Sequence, residues 1–316
     1  MRSVVWPRVG RSEVVDAEEP RGGPDDAVVE VSVSVLSPGT ERARLLGLPT
    51  AAVSFPHAPG YQAAGSVRLA PAMAAGTRVA VRGAGHRSVV VVPSRLVHAV
   101  ADRVPLLDAA VWQLALTAMY GLALGEHLPG EPATVVGAGL LGVITRRLAA
   151  ARGAPVIRAV ARSEARAWAA RTEPATAIVP VGRVSADSPL VIDVTGSPAG
   201  LATAIAATAD GGRVVLLGSP RADIADVPLQ QAFDRQVRII GAHIANLDDA
   251  EEPVLTEAFF DLLAAGRFTV RDVLAEYPAC DAPLVYRRLV TDRSFIGAAL
   301  RWDPDPGTGL SRREAP

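Results

Sequence analysis

Apolar and polar positions alternate along the first third of the chain, which is the pattern of half-buried β-strands. Prolines and glycines separate the apolar stretches at short intervals, as in a small β-barrel. The predicted strands are Val28–Val35, Gly65–Leu69, Thr77–Arg82 and Ser88–Val92. Beyond Leu106 the pattern changes, because residues Asp108–Leu124 are rich in alanine and leucine and predict a helix.

From Ala133 onwards, short apolar stretches alternate with longer amphipathic ones. The predicted strands are Ala133–Val136, Val156–Val160, Leu190–Val194, Arg213–Leu217 and Val237–Ile240. The predicted helices are Leu140–Arg152, Glu164–Arg171, Ala199–Ala209 and Ala250–Ala265. Regular alternation of this kind predicts a parallel, doubly wound sheet of the Rossmann type. A last strand-like segment, Ile296–Trp302, follows.

A glycine-rich turn joins the first strand of this second region to its helix, in the pattern G-x-G-x-x-G. Gly137 permits the tight turn, Gly139 lets the backbone approach a pyrophosphate, and Gly142 lets the helix pack closely on the strand. The free N–H groups of a helix N-terminus favour phosphate charge, so Leu140 and Leu141 are predicted contacts as well. The sequence therefore predicts a dinucleotide site at this turn.

The end of the second strand of this region indicates which dinucleotide is bound. An NAD site usually carries an acidic residue there, and that carboxylate accepts hydrogen bonds from the ribose hydroxyls. This chain has Ala161 followed by Arg162 and Ser163, which suit a 2′-phosphate, and Arg166 adds charge one helix turn later. The sequence predicts NADP(H) as the cofactor. Alternatively, Arg162 and Arg166 are solvated arginines at the start of a helix.

The composition excludes several classes of function. The chain has 316 residues and a formal net charge of −1, which does not suggest binding to nucleic acid or to an anionic membrane surface. All 32 basic residues are arginine, so lysine Schiff-base chemistry is excluded. Cys280 is the single cysteine, which rules out an internal disulfide and a cysteine-based zinc cage. We expect a cytoplasmic protein, since no segment resembles a signal peptide or a membrane span, and residues 303–316 are predicted to be a disordered tail.

Five motifs of the sequence, including the glycine turn, resemble the medium-chain dehydrogenase/reductase superfamily. Besides the glycine turn they are Ser37-Pro38-Gly39-Thr40-Glu41, Pro59-Gly60-Tyr61-Gln62-Ala63-Ala64-Gly65, Leu116-Thr117-Ala118-Met119-Tyr120 and Gly211-Gly212-Arg213-Val214-Val215. Within the superfamily, the chain is most similar to the zinc-independent branch that contains bacteriochlorophyllide a dehydrogenase. The resemblance implies an α/β fold with a GroES-like β-barrel catalytic domain at residues 1–115, completed by 272–302, and a Rossmann domain at residues 116–271.

Zinc-dependent members of this superfamily carry three catalytic ligands, commonly Cys, His and Cys. The matching positions here hold Pro38, Tyr61 and Gln113. Proline has no donor atom, and neutral tyrosine and glutamine are poor zinc ligands beside thiolate and imidazole. We therefore predict that no metal is bound.

Without a metal, side chains that form hydrogen bonds must stabilise the developing oxyanion. The resemblance implies three candidates, Tyr61 at a vacated ligand position and Thr40 and Glu41 on the loop that faces the nicotinamide. Two of them have a structural alternative: Tyr61 starts a strand at the barrel edge, and Glu41 caps a helix or pairs with Arg42 or Arg44. The resemblance also places His86 in a loop that often reaches the cleft, although we expect it to be exposed at the surface.

The resemblance further implies contacts to the cofactor from Thr117, Thr195, Gly218 and Ser219. The leading prediction is an NADP(H)-dependent, zinc-independent oxidoreductase acting on a carbonyl/alcohol or imine/amine pair of a cyclic, biosynthetic small molecule. Two alternatives stay open: an ene-reductase of the quinone or enoyl reductase type, and a non-catalytic NADPH-binding protein. The resemblance also implies a homodimer formed through an edge strand near Val237–His243.

Overall fold

A computed structural model describes residues 1–161, 176–220 and 227–302 of the chain. In these segments the strands are β1 Arg2–Arg8, β2 Arg11–Asp16, β3 Asp26–Val35, β4 Gln62–Leu69, β5 Arg78–Arg82, β6 Val89–Pro93, β7 Val97–Ala99, β8 Ala133–Val136, β9 Ile157–Ala161, β10 Thr176–Pro180, β11 Ser188–Asp193, β12 Thr208–Leu216, β13 Arg238–Gly241, β14 Ala275–Pro278 and β15 Ala298–Arg301. The helices are α1 Pro38–Leu45, α2 Leu106–Ala109, α3 Trp112–Leu124, α4 Leu140–Ala151, α5 Pro198–Ala207, α6 Leu229–Asp234, α7 Glu251–Ala264 and α8 Ala282–Thr291.

The chain divides into two compact units. The first unit comprises Met1–Gln113 and Phe260–Pro316, and the second comprises Leu114–Phe259. Residues 260–271, which the sequence-based bounds assign to the Rossmann domain, fall in the first unit. The domain bounds derived from the sequence therefore stay a prediction.

The first unit is built on a seven-stranded sheet in the order β14-β15-β3-β4-β5-β7, with β6 paired to β3. The strand β3 lies at its centre and pairs antiparallel with β4, β6 and β15. A separate hairpin of β1 and β2 packs beside it, and Val4 and Trp6 of β1 are fully buried. The alternation in the sequence arises because one face of each strand lies in this shared core.

The second unit is a six-stranded sheet in the order β10-β9-β8-β11-β12-β13, and each of its neighbouring pairs is parallel. This strand order is that of a Rossmann sheet, in which the order of the strands reverses between β8 and β11. The apolar segments of β8 and β11 are buried, as parallel strands covered on both faces require. The predicted α/β fold, with a GroES-like part and a Rossmann part, is confirmed.

Several predicted elements differ from those observed. The single helix predicted at Asp108–Leu124 is two helices, because α2 ends at Ala109 with Ala110 as its C-cap and α3 begins at Trp112. The Asp108 carboxylate in α2 accepts hydrogen bonds from residues 269–271. The hairpin β1–β2 and the helices α1 and α8 were not predicted. The predicted helix Glu164–Arg171 lies outside the described residues, as does the tail 303–316.

Within the described segments, no helix is both long enough and apolar enough to cross a membrane. Cys280 is exposed and has a free thiol.

Candidate active site

The glycine turn of the second unit is shaped by close packing. Gly137 follows β8 with a φ of +115°, and a Cβ atom there would lie 2.8 Å from Cγ2 of Val194. A Cβ atom on Gly142 would overlap the carbonyl oxygen of Gly137. Both positions therefore require glycine. Gly139 is the N-cap of α4, and α4 begins with Leu140 and Leu141, so the unpaired N–H groups of its first turn lie directly after the turn.

A second loop at the same edge of the sheet follows β11 and is organised by Asp193. Its buried carboxylate accepts the N–H of Thr195 at 2.8 Å, and its backbone carbonyl accepts the N–H groups of Leu217 and Gly218. Burial raises the pKa of the Asp193 carboxyl, and the hydrogen bonds from Thr195 oppose that shift. Asp193 thus ties the loop after β11 to the loop after β12. Asp193 was not among the predicted site residues, although the run Asp193-Val194-Thr195-Gly196 at a strand end was a usable signal.

The predicted cofactor contacts are placed as follows. Thr195 is exposed, Gly218 and Ser219 are half-buried, and all three lie beyond the carboxyl ends of β11 and β12. Thr117 is half-buried on α3. Ala161 is the last residue of β9, so no carboxylate stands at that strand end. Arg162, Ser163 and Arg166, which would bind the 2′-phosphate, lie outside the described residues.

In the first unit, Tyr61 is half-buried and directly precedes β4. Its hydroxyl is within hydrogen-bonding reach of the side chains of Ser37 and Thr40. Burial raises the pKa of Tyr61 to about 12, and the negative charge of Glu41 acts in the same direction, against the effect of Ser37 and Thr40. A lowered pKa would have favoured acid/base chemistry, whereas the raised pKa makes Tyr61 a persistent hydrogen-bond donor.

Glu41 lies on α1 and is almost fully buried. Its Oε1 accepts the N–H of Ser37, the N-cap residue of α1, at 2.7 Å. Its Oε2 accepts the hydroxyl of Tyr286 at 2.5 Å and lies 3.2 Å from Nε2 of His86. The capping alternative is therefore seen, but the expected pairing with an arginine of α1 is wrong, because His86 and Tyr286 occupy the second oxygen.

The expected surface position of His86 is also wrong, because the ring is fully buried. Its Nδ1 lies 2.8 Å from Oγ of Ser34, which accepts a hydrogen bond from Nε1 of Trp302, also at 2.8 Å. Gly60 makes room for the ring, since a Cβ atom at Gly60 would lie 2.8 Å from Cδ2 of His86. Tertiary packing, rather than anything local in the sequence, places this histidine in the core.

The three positions that the resemblance matches to zinc ligands hold residues with other structural roles. Pro38 starts α1, Tyr61 contacts Ser37 and Thr40, and Oε1 of Gln113 accepts a hydrogen bond from Arg82 at 3.4 Å. The described residues contain no group of three or more His, Cys, Asp or Glu side chains able to hold a metal ion. This donor set does not suit zinc, which prefers thiolate, imidazole and carboxylate.

A family model described as "Zinc-binding dehydrogenase" matches residues 141–259. The match begins at the end of the glycine turn and includes the strands β9 to β13 of the Rossmann sheet. It does not include Pro38, Tyr61 or Gln113, so the word "zinc" in that description does not bear on the three vacated positions.

Known proteins resemble the chain over most of its length. A curated relative from Rhodobacter capsulatus, 2-desacetyl-2-hydroxyethyl bacteriochlorophyllide A dehydrogenase, is 28% identical over 298 residues, which cover 89% of this chain and 91% of the relative. A solved structure of a zinc-binding dehydrogenase from Sinorhizobium meliloti 1021, bound to NADP, covers 95% of this chain and 98% of its own, with 19% identity and a TM-score of 0.81. A structure of an alcohol dehydrogenase from Escherichia coli CFT073, complexed with NADH, covers 95% and 99%, with 16% identity and a TM-score of 0.79.

Proposed function

We propose that the chain is an oxidoreductase of the medium-chain dehydrogenase/reductase superfamily and that it transfers hydride between NADP(H) and a small-molecule substrate without zinc. The observation that carries this proposal is the glycine cradle, in which Gly137 and Gly142 leave no space for a side chain at the N-terminus of α4. That cradle fits the pyrophosphate of a dinucleotide.

A nicotinamide dinucleotide supplies or accepts the hydride when it is bound. Gly137, Gly139 and the first N–H groups of α4 would hold its pyrophosphate. Thr195, Gly218 and Ser219 are displayed at the same edge of the sheet, where ligands of such sheets bind. The structure from Sinorhizobium meliloti is bound to NADP and that from Escherichia coli to NADH, so the shared fold supports this class of cofactor without selecting between its two members.

The preference for NADP(H) rests on the end of β9. Ala161 offers no carboxylate to repel a 2′-phosphate, and Arg162 and Ser163 follow it directly. We expect kcat/KM for NADPH to exceed that for NADH. Arg162→Ala should raise the KM for NADPH by about ten- to a hundredfold, the value of one charge-assisted hydrogen bond, and leave the KM for NADH unchanged.

The control for this experiment is Arg287→Ala, which removes an exposed arginine of the first unit. A clear preference of the unaltered enzyme for NADH would refute NADP(H) as the cofactor.

Hydride addition to a C=O or C=N bond places negative charge on the heteroatom, and a hydrogen-bond donor must stabilise it. Tyr61 serves this role in our proposal, since its neutral hydroxyl is available throughout the ordinary pH range. Thr40 orients that hydroxyl. The Rhodobacter relative is named for a bacteriochlorophyllide, a macrocycle, and we extend this to a cyclic, biosynthetic substrate for this chain.

The type of bond reduced is tested with NADPH deuterated at C4 of the nicotinamide. Deuterium on a carbinol or amine carbon of the product supports the proposal. Deuterium on the carbon β to a carbonyl shows reduction of a C=C bond instead, which is the work of an ene-reductase. Binding of NADPH without turnover on a panel of carbonyl substrates would indicate a non-catalytic protein.

A further inference from the structure

A continuous chain of buried hydrogen bonds crosses the core of the first unit. Trp302 bonds to Ser34, Ser34 to His86, and His86 to Glu41, at 2.8, 2.8 and 3.2 Å. Tyr286 donates to the same carboxylate at 2.5 Å. All five side chains are at most 2% exposed. A buried polar network of this length costs free energy unless each member is satisfied, so the direction of each bond is constrained.

The donor and acceptor roles in these hydrogen bonds follow from Trp302, whose indole nitrogen can only donate. Oγ of Ser34 is therefore an acceptor in that bond and still carries its own proton. Among the described residues, the only other recorded partner of that hydroxyl is Nδ1 of His86. A fully buried hydroxyl is expected to use its proton, so Nδ1 accepts it and the proton of the neutral ring sits on Nε2. From there it faces the carboxylate of Glu41.

Contacts of Glu41 and of His86 connect this series of hydrogen bonds to Tyr61. Glu41 holds the N–H of Ser37 at 2.7 Å, and the side chains of Ser37 and Thr40 hold the Tyr61 hydroxyl. The His86 ring also packs against Gly60, the residue before Tyr61. The backbone N–H of His86 donates to the carbonyl oxygen of Pro59 at 2.8 Å. His86 thus supports Tyr61 at both its hydroxyl and its backbone.

We propose that His86 is a positioning residue for Tyr61, acting through Glu41 as a neutral imidazole with its proton on Nε2. The inference rests on the proposed role of Tyr61 as the hydrogen-bond donor to the substrate. His86 itself touches no reacting atom. It fixes the first turn of α1 by holding Glu41, and this turn fixes the phenol.

The protonation state is tested without substrate or cofactor. Two-bond ¹H–¹⁵N correlation spectra of ¹⁵N-histidine-labelled protein distinguish the two tautomers and the imidazolium, and the His86 signals are assigned by their loss in His86→Asn. We expect a protonated Nε2 and an unprotonated Nδ1 at neutral pH. A protonated Nδ1, alone or together with Nε2, would overturn the assignment.

The positioning role is tested with two amide replacements. The amide nitrogen of His86→Gln reaches the place of Nε2 and keeps a donor to Glu41, whereas the shorter His86→Asn does not. We expect His86→Asn to lower kcat about tenfold with the KM for NADPH unchanged, and His86→Gln to stay within about threefold of the unaltered enzyme. Equal losses in the two variants would overturn the role.

A double-mutant cycle asks whether the effect passes through Tyr61. In a Tyr61→Phe background, His86→Asn should change kcat little further, because the group that it positions is already gone. Full additivity of the two losses would refute the inference. The matched control is His127→Gln, which alters a buried histidine of the second unit and should be additive with Tyr61→Phe.

Titration of the Tyr61 phenol separates failure of this inference from failure of the proposed function. If Tyr61→Phe leaves turnover unchanged, the proposed role of Tyr61 as donor is refuted. The double-mutant cycle in kcat then no longer tests the role of His86. The ultraviolet phenolate titration of Tyr61, taken as the difference from Tyr61→Phe, then decides. His86→Asn should shift its midpoint and His86→Gln should not. An unchanged midpoint in His86→Asn would overturn the positioning role whatever the reaction is.

Discussion

Among single residues, Tyr61 and Glu41 show how a buried charge selects the chemistry of its neighbour. The carboxylate is held by the N–H of Ser37, by Tyr286 and by His86, and its charge disfavours a second negative charge on the phenol nearby. Tyr61 is therefore better suited to donate a hydrogen bond than to release its proton. A phenol of this kind stabilises an oxyanion electrostatically, while a proton that the product needs must come from elsewhere.

Removing the phenol hydroxyl tests this role directly. We expect Tyr61→Phe to lower kcat by about ten- to ten-thousand-fold, the range for a lost donor or acid, with the KM for NADPH unchanged. Steady-state kinetics measures both constants. Tyr277→Phe, on β14 of the same unit, is the control and should keep the original rate. A Tyr61→Phe enzyme that is folded and fully active would remove Tyr61 from the mechanism.

The pKa of Tyr61 also predicts how stability changes in alkali. The folded-state pKa is about 12, above the ordinary value of 10, so the folded protein holds this proton more tightly than the unfolded chain does. Its contribution to stability is fully present below pH 10 and is lost as the pH rises to 12. Urea unfolding at a series of pH values should show a shallower loss for Tyr61→Phe. Equal slopes would contradict the raised pKa.

Tyr61, Thr40 and Glu41 became candidates from the sequence because they lie in short motifs that carry the family resemblance. The sequence could not place His86, whose burial depends on β3, α1 and the strand β15, all distant in sequence. One usable signal was Gly60, a glycine between proline and tyrosine at which a Cβ atom would meet the His86 ring. Such a glycine marks the close approach of another group, though not which group it is.

Among the elements, the β8–α4 connection depends on one glycine more than on its length. Gly142 lies inside α4, yet it faces the carbonyl oxygen of Gly137 so closely that no side chain fits. The contact presses the helix onto the turn and aims its first N–H groups at the place where a pyrophosphate would bind. Motif spacing predicted this element correctly because the requirement is local.

We expect Gly142→Ala to weaken NADPH binding at least about tenfold and to lower the thermal midpoint, since the methyl group must push α4 away from the turn. Fluorescence titration and calorimetry measure the two effects. The control is Gly182→Ala in the same unit, where a Cβ atom meets nothing within 4 Å. Unchanged binding in Gly142→Ala would show that the cradle does not hold the cofactor.

The elements that the sequence missed share a physical cause. Pro38 and Gly39 conceal the start of α1, because both residues usually argue against a helix although proline is favourable in its first turn. The hairpin β1–β2 lacks regular alternation, and its strand β2 is only partly buried. Most of the Rossmann elements were found because their strands contain short apolar stretches and helices follow within a few residues, whereas the strand β10 and the short helix α6 were missed.

In the molecule as a whole, one edge of the sheet of the second unit is formed by the strand β13. In the described residues β13 pairs only with β12, and its residues are mostly exposed, including Ile239 at 38%. Unprotected edges of this kind pair with other chains unless they are blocked. This supports the homodimer that the family resemblance implies.

Sedimentation velocity should show a dimer that Ile239→Glu converts to a monomer, because the new charges of the two subunits would face each other at a two-fold axis. Val254→Glu, which changes a more exposed apolar residue on α7, should leave the dimer intact. A monomeric unaltered protein would rule out the edge-strand dimer.

The bond between Trp302 and Ser34 joins residues 268 positions apart, so the first unit cannot form it until Trp302 has been synthesised. Residues 114–259 leave the ribosome as one uninterrupted stretch, so the nucleotide-binding half is ready to fold while translation continues. The first unit waits for β15, which is translated after the whole second unit. At a translation rate of about 5–20 residues per second, the first unit of each nascent chain stays incomplete for several seconds after the second unit has been synthesised. A chain truncated before Ala298 would therefore keep the complete second unit and lack a strand that pairs with β3 in the first unit.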